Sequence, residues 1–338
     1  MTQINKPAIA ITMGDPCGIG PEVVVKALAD PRVYASCRPV VVGNIYAMEE
    51  AVKLTGLSLK IQESIDPSLG GQNLSSIDVV DIHNLNPEDI AVGQITPACG
   101  KAAMEWVTKA GELAMSGVVD GLATAPLNKE AASLAGYQSI GHMELLQEMS
   151  GAKTVATMLM AKNLRVVHLT THRSLRVACD YVKHDRILEF LGLTHDSFVT
   201  YGFSKPRIGV AALNPHGSDG GLLGAEEETE IGPAVLSAQR KGIDAVGPIP
   251  ADIVFHQAIQ GRYDVVLCMF HDQGHIPVKV YGFEESITAN LGLPFVRTSV
   301  DHGTAFDIAG KGVADHLSML ESIRLAVALA KGNGLSDF

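Results

Sequence analysis

Cysteine is sparse in this sequence of 338 residues: Cys17, Cys37, Cys99, Cys179 and Cys268 are odd in number, scattered and without a CxxC pair. That usage fits a reducing cytosol rather than a disulfide framework, and none of the five is marked as a nucleophile. Long apolar runs are missing too. No stretch reaches the roughly 18 residues that a membrane helix needs, and MTQINKPAIAITMG has no charged-then-apolar leader pattern. A soluble, cytoplasmic protein is expected. Positive charge is short: 26 Lys and Arg stand against 37 Asp and Glu, a formal net charge of −11, with no basic cluster. Neither nucleic acid nor membrane is therefore an expected partner, although a local basic pocket for a small anion stays open. Repeats and low-complexity linkers are also absent.

What remains is an ordinary globular composition, 46% hydrophobic and 19% charged, in a chain long enough for two domains' worth of core. Residues 8–12 read as a buried strand, and GDPCGIGPEVVVKAL leads from a Gly/Pro turn into a helix. Pro21 stands at its first position and Glu22 in its first turn. Strands are predicted near 40–43 and 77–82, helices over 46–55 and 97–115, and loop with edge structure over 62–76. GVVDGLATAPLNKEAASLAG reads as strand, turn and helix, with Thr124, Asn128 and Lys129 at the turn to meet a ligand or cap the helix. Strand patterns at 154–160, 164–170 and 208–213 then alternate with helices near 187–193 and 231–241. The alternation predicts an α/β fold with mostly parallel strands.

The chemistry concentrates at YDVVLCMFHDQGHIPVK, residues 263–279. The apolar run 265–270 suits a strand covered on both faces, and it stops in His271, Asp272, Gln273, Gly274 and His275. These residues are placed on the turn beyond the strand's carboxyl end, where open parallel sheets bind ligands. LRVVHLTTHRS does the same for His172, and RIGVAALNPHGSDGG for His216. Three strand ends thus offer one imidazole each, and three protein ligands with an open fourth position make a catalytic site for zinc or a similar ion. The spacing is long, so loop capping by each His stays open as an alternative. His168 precedes its strand end and reads as a packed core residue. Asp272 either fixes a ring tautomer or is a turn residue.

Two further stretches bear on ligand binding. Gly14, Gly18 and Gly20 permit a tight turn and close backbone approach to a ligand, but a Pro interrupts them and the spacing is not GxGxxG, which rejects a Rossmann fingerprint. In LGLPFVRTSVDHGTAFDIAGKG, residues 291–312, a strand-like segment ends in Arg297. The loop of Asp301, His302, Gly303, Thr304 and Asp307 behind it suits adenosine, backbone to the base and a carboxylate to the ribose.

DHGTAFDIAGKG resembles the adenosine-binding loop of isocitrate and isopropylmalate dehydrogenases, and GDPCGIGPEV resembles their N-terminal GDGIGPEV. Over nearly the whole chain the landmarks are similar to those of the 4-hydroxythreonine-4-phosphate dehydrogenase family of pyridoxal phosphate synthesis. They are GDPxGIGPE, the pair Gly141 and His142, TTH ending at His172, NPH ending at His216, HDQG from His271, and LGLPFxRTSxDHGTAxDIAGxG. The resemblance implies a two-lobed, isocitrate dehydrogenase-like α/β fold with mostly parallel sheets. Because the nucleotide motifs lie near opposite ends, residues 1–125 plus 280–338 are expected to form the cofactor lobe. Residues 126–279 are expected to bind metal and substrate and to dimerise. The resemblance further implies that His172, His216 and His271 hold one divalent cation (zinc, magnesium, manganese or cobalt), in a site shared between the subunits of a homodimer. His142, Lys279 and Arg297 are implied as substrate contacts, and a fork donor and a point cation suit carboxylate and phosphate. Gly14, His302, Gly303, Thr304 and Asp307 are the cofactor positions. No arginine for a 2′-phosphate stands beside Asp307, which favours NAD. Lys279 and Asp272 are the candidates for a general base.

The sequence leaves the family pattern twice, with Met143 in place of Thr after the Gly-His pair and Thr288 in place of Asn, while Asn290 stands two residues on. Polar contacts give such sites their discrimination, so these departures bear on the substrate. HDQGHIP and ATAPLNKEA are closer to the branch acting on 4-phospho-threonate or 4-phospho-erythronate, and a further cousin oxidises a cyclic dihydrodiol. The expected reaction is metal- and NAD-dependent oxidation of the secondary hydroxyl of a small phosphorylated hydroxy acid, followed by decarboxylation. A metal-dependent hydrolase or aldolase is the rival class, and the adenosine-type loop counts against it.

Overall fold

The computed structural model describes residues 6–139, 141–332 and 334–335. The chain forms two compact units, residues 1–153 with 293–331, and residues 154–292 with 332–338. No helix among the described residues is long and apolar enough to cross a membrane.

The first unit begins with β1 (Ala8–Thr12), whose residues AIAIT are all buried. A strand covered on both faces needs apolar side chains on both, so the run does not alternate. There follow α1 (Gly20–Leu28), α2 (Pro31–Ser36), β2 (Arg38–Val42), α3 (Ile45–Thr55), β3 (Lys60–Glu63), β4 (Ser76–Val80), α4 (Pro97–Met115), β5 (Gly121–Thr124), α5 (Lys129–Leu134) and α6 (His142–Ser150). Prolines 21, 31 and 97 occupy helix starts, where a missing N–H costs nothing. Asp30, Asn44, Thr96 and Asn128 each accept a backbone N–H and cap their helices.

The second unit runs through β6 (Ala156–Ala161), β7 (Leu164–His168), α7 (Leu175–Asp180), α8 (His184–Thr200), β8 (Ile208–Ala211), α9 (Gly232–Arg240), β9 (Ala245–Ile249), α10 (Ala251–Ile259), β10 (Val265–Cys268), α11 (His271–Tyr281) and β11 (Ile287–Leu291). The chain then re-enters the first unit for β12 (Val296–Val300) and α12 (Leu317–Ala330).

In the first unit the strands lie in the order β3-β4-β2-β1-β5-β12, all parallel. Thr124 is the register partner of both Thr12 and Ser299, so β1, β5 and β12 end together and their loops leave side by side. In the second unit the order is β11-β6-β7-β10-β8-β9, parallel from β7 to β9. β6 is antiparallel to both β11 and β7. Only Lys162 and Asn163 separate β6 from β7, too short a link for a parallel crossover.

The units divide later in the chain than the sequence-based lobes. Residues 126–153, with α5 and α6, pack in the first unit, because α4 presents glycines to them. A Cβ on Gly100 would lie 2.3 Å from the Ala131 carbonyl, and one on Gly111 would lie 2.7 Å from the Met149 sulfur. Residues 280–292 belong to the second unit, where β11 pairs with β6.

Candidate active site

The second unit gathers imidazoles where β7 and β10 end. These strands run parallel with Cys268 opposite His168, and the Leu169 N–H donates to the Cys268 carbonyl at 2.9 Å. HDQGHIP is not a turn but the first two turns of α11, which places His271 and His275 four residues apart on one helix face. Their rings stack at 3.6 Å and 13°. His168 is 1% exposed. Its Nδ1 lies 3.3 Å from the Thr157 carbonyl, which makes Nδ1 the donor and leaves Nε2 to accept from His275 Nδ1 at 3.0 Å. Burial, and then the neighbouring His275, push the His168 pKa down to about 3, so the ring is neutral. Gly274 makes the approach possible: a Cβ there would meet His168 Nε2 at 2.4 Å and Cys268 Sγ at 2.7 Å. Gln273 fixes the helix start, accepting from the Met269 N–H and donating to the Ala212 carbonyl, each at 2.7 Å.

His172 joins this group, its ring centroid 5.9 Å from that of His271. Both line a cavity of about 350 Å³ with Thr171, Arg173, Phe270 and Asp272. Asp272 accepts from His271 Nδ1 at 2.7 Å. That bond directs the other ring nitrogen outward as a lone-pair donor, the usual arrangement of a metal-ligating histidine. His216 has the same feature, its Nδ1 3.1 Å from Asp219 Oδ2. It sits apart on a turn in which His216, Gly217, Ser218, Asp219 and Gly220 all have positive φ, three of them not glycine. Such a backbone costs about 1–2 kcal/mol per non-glycine residue and persists only where its surroundings hold it. Buried Glu227 is the brace. Its carboxylate accepts the Leu213 N–H at 2.8 Å, the Asn214 N–H at 2.7 Å and Asn214 Nδ2 at 2.8 Å. Within one chain, and among the described residues, His172, His216 and His271 do not bring three ligand atoms within 4.8 Å of one another.

Lys279 follows His271 and His275 at the same four-residue interval along α11, its Nζ 4.8 Å from the Phe283 ring centre. Thr288 and Asn290 share one face of β11, opposite Leu159 and Thr157 of β6; Asn290 is buried and Thr288 half-buried.

In the first unit Arg297, Lys129 and His142 lie near enough for their charges to interact. Arg297, on β12 and 5% exposed, donates from Nη2 to Thr124 Oγ1 on β5 at 2.7 Å. Burial lowers its pKa to about 10, with the Glu144 charge acting the other way. His142 opens α6 next to half-buried Met143; its Nε2 is wholly covered and has no hydrogen-bond partner among the described residues. Burial depresses the His142 pKa most, then the positive charges of Arg297 and Lys129, while a bond to the Ala125 backbone raises it. The two positive charges thus act on the imidazole in the same direction as burial and favour its neutral form. Asn128 caps α5 through the Ala131 N–H at 2.8 Å, and Thr124 receives Arg297.

The two glycine-rich stretches, nearly three hundred residues apart, meet in this unit. The Ile19 N–H donates to the Thr304 carbonyl at 2.9 Å, and a Cβ on Gly18 would lie 2.7 Å from that oxygen. Gly14 has φ +77, and a Cβ there would strike the Pro126 carbonyl at 2.4 Å. Buried Glu22 accepts from Ala314 N at 2.8 Å and from Lys26, which also donates to the Gly312 and Ala314 carbonyls, so α1 clamps the end of the glycine loop. His302 Nδ1 lies 3.0 Å from the Gly303 carbonyl, and Gly303 and Asp307 face solvent. A cavity of about 260 Å³ beside this loop is lined by Gly18, Tyr46, Ile90, Val92 and Gly310.

Sequence reasoning placed His275 and Gln273 at this strand end without giving either a role, and it missed Glu227. The four-residue interval from His271 was the available signal for His275. For Glu227 there was none, since its role depends on folding back to Asn214.

Known proteins match most of the chain. The family described as "Pyridoxal phosphate biosynthetic protein PdxA" matches residues 35–326. A protein of Fusobacterium nucleatum named "Putative D-threonate 4-phosphate dehydrogenase" is 45% identical over 322 residues, 95% of this chain and 97% of its own. A solved 4-hydroxythreonine-4-phosphate dehydrogenase from Burkholderia phymatum is 45% identical with a TM-score of 0.85, covering 96% of this chain and 98% of that one. Another from Klebsiella pneumoniae is 40% identical with a TM-score of 0.90, covering 97% and 99%.

Proposed function

The chain belongs to the family of the pyridoxal phosphate biosynthetic protein PdxA, and on that premise we propose that it is an NAD- and metal-dependent dehydrogenase of a small phosphorylated hydroxy acid. The observation that carries the metal part is the pairing of His271 Nδ1 with Asp272 and of His216 Nδ1 with Asp219, which leaves both outer nitrogens as ligands. Such donors fit zinc or a similar cation. One chain does not close the set, so the reading includes a homodimer whose second copy completes it. The exposed apolar residues of the second unit favour such an interface: Ile276 and Val280 on α11, Phe283 just after it, and Leu222 beside the His216 turn.

In this reading Arg297, Lys129 and His142 hold the substrate's anionic group, and the carboxyl ends of β1, β5 and β12 hold the nucleotide. When bound, the cation would polarise the reacting hydroxyl and lower the cost of its deprotonation. NAD, when bound, would accept hydride from the carbinol carbon, and the hydroxyl proton would go to a base. Asp272 is engaged on His271, so Lys279 is assigned that role. The resulting 3-oxo acid has its carboxylate β to the new carbonyl. It loses carbon dioxide and takes up a proton at the neighbouring carbon.

D-threonate 4-phosphate is the preferred substrate form, supported by the name of the Fusobacterium relative and by Met143, which removes a hydroxyl from the pocket. A second form, 4-hydroxythreonine 4-phosphate, is favoured by the names of the two solved structures, and the acids differ only at C2. The test is to incubate the metal-loaded protein with NAD and each of these acids and follow reduced nicotinamide. Reduction with neither acid, or turnover without NAD, refutes the proposal.

A further inference from the structure

We propose that Asp15, Cys17 and Cys99 form a second, thiolate-rich zinc site in the first unit, separate from the histidines. A carboxylate oxygen of Asp15 and the two sulfurs lie within 4.8 Å of one another, and all three residues are 0% exposed. The sulfurs are 3.3 Å apart. On a tetrahedral zinc with Zn–S bonds of about 2.3 Å, two thiolates stand about 3.8 Å apart, so the pair has to open by about half an ångström.

The second and independent observation is an orphan. Asp15 Oδ1 accepts the Cys17 N–H at 2.8 Å, while Oδ2 is buried without a partner among the described residues. An unsatisfied carboxylate oxygen in the core is costly, and a cation among these three groups satisfies it while using both sulfurs. The local structure presents the ligands. Asp15 and Cys17 flank Pro16 in the tight turn after β1, and Cys99 stands in the first turn of α4. Cys99 Sγ also lies 3.4 Å from the Asp89 carbonyl, which offers an oxygen as the fourth ligand. Thiolates select zinc over magnesium or manganese, so this site differs in kind from an imidazole site. Its effect would be to staple the turn after β1 to the start of α4.

Cobalt tests it, because thiolate ligation gives a near-ultraviolet charge-transfer band that histidine and carboxylate ligation do not. Reduced wild-type protein loaded with Co²⁺ is expected to show the band, and added Zn²⁺ to abolish it. Cys99→Ala and Cys17→Ala, either of which suffices should the other fail to fold, are expected to lose it, whereas His172→Ala keeps it. No band in wild-type protein, or a band that survives both cysteine changes, overturns the proposal. So does a Cys17–Cys99 disulfide that persists under reductant in place of metal uptake.

Discussion

Gly274→Ala sets two opposed effects against each other. In an ordinary helix interior this change stabilises by about 0.5–1 kcal/mol, because glycine loses more backbone freedom on folding. Here the new methyl would lie 2.4 Å from His168 Nε2, 2.7 Å from Cys268 Sγ and 2.8 Å from Val166 Cγ1. Relaxed contacts need about 3.5–4.0 Å, so α11 must shift by about 1 Å from β7 and β10. Overpacking of this kind costs about 1–3 kcal/mol, and separating His275 from His168 loses a hydrogen bond worth about 0.5–1.5 kcal/mol. The clash outweighs the propensity gain, and a net loss of about 2 kcal/mol is expected in the urea midpoint of metal-free protein. Because His271 lies three residues away on the same helix, divalent-ion affinity should fall by about 10–100-fold, as for other disturbances of a ligand's supports. A variant as stable as wild type with unchanged ion affinity would refute the view that Gly274 sets the position of α11.

Glu227→Gln replaces one acceptor oxygen with a donor facing Asn214 Nδ2; a loss of about 1–3 kcal/mol and weaker cation binding through His216 are expected, and wild-type values for both would remove Glu227 as the brace of that turn. In metal-free protein the folded pKa of His168, about 3, lies below the unfolded value of about 6.5, so the unfolded chain binds more protons between them. The stability present above pH about 6.5 is therefore lost as pH falls towards about 3, by up to about 1.4 kcal/mol per pH unit, and His168→Gln should flatten that slope in pH-dependent urea melts; equal slopes would contradict it. Met143→Thr with Thr288→Asn should raise kcat/KM on 4-hydroxythreonine 4-phosphate and lower it on D-threonate 4-phosphate, each by about 0.5–1.5 kcal/mol per polar contact, and an unchanged ratio would show that these positions do not set specificity.

The buried strands and capped helices were legible because each depends on a few adjacent residues. The helix at 97–115, for example, carries Thr96 as its cap and Pro97 at its start. The residues of HDQGHIP were legible but not their conformation. Gly274 and Pro277 both argue against a helix by propensity, and tertiary contact with His168 and Cys268 overrides them. The antiparallel β6 was available in the two-residue gap between Ala161 and Leu164, which no parallel crossover spans. The left-handed turn at His216 was not, since its strain is sustained by Glu227 from the next helical segment.

The order in which the chain is made acquires a cost from the split first unit. Its sheet lacks β12, and its core lacks Met319, Leu320 and Ile323 of α12, until residues 293–331 exist. At about 5–20 residues per second, synthesis of the intervening 154–292 takes roughly 7–28 s. Throughout that interval one edge of β5 waits without the strand it pairs with, an open template for another chain. Every strand of the second unit is made while the first still lacks β12 and α12, so nascent protein is most exposed to aggregation at the β5 edge.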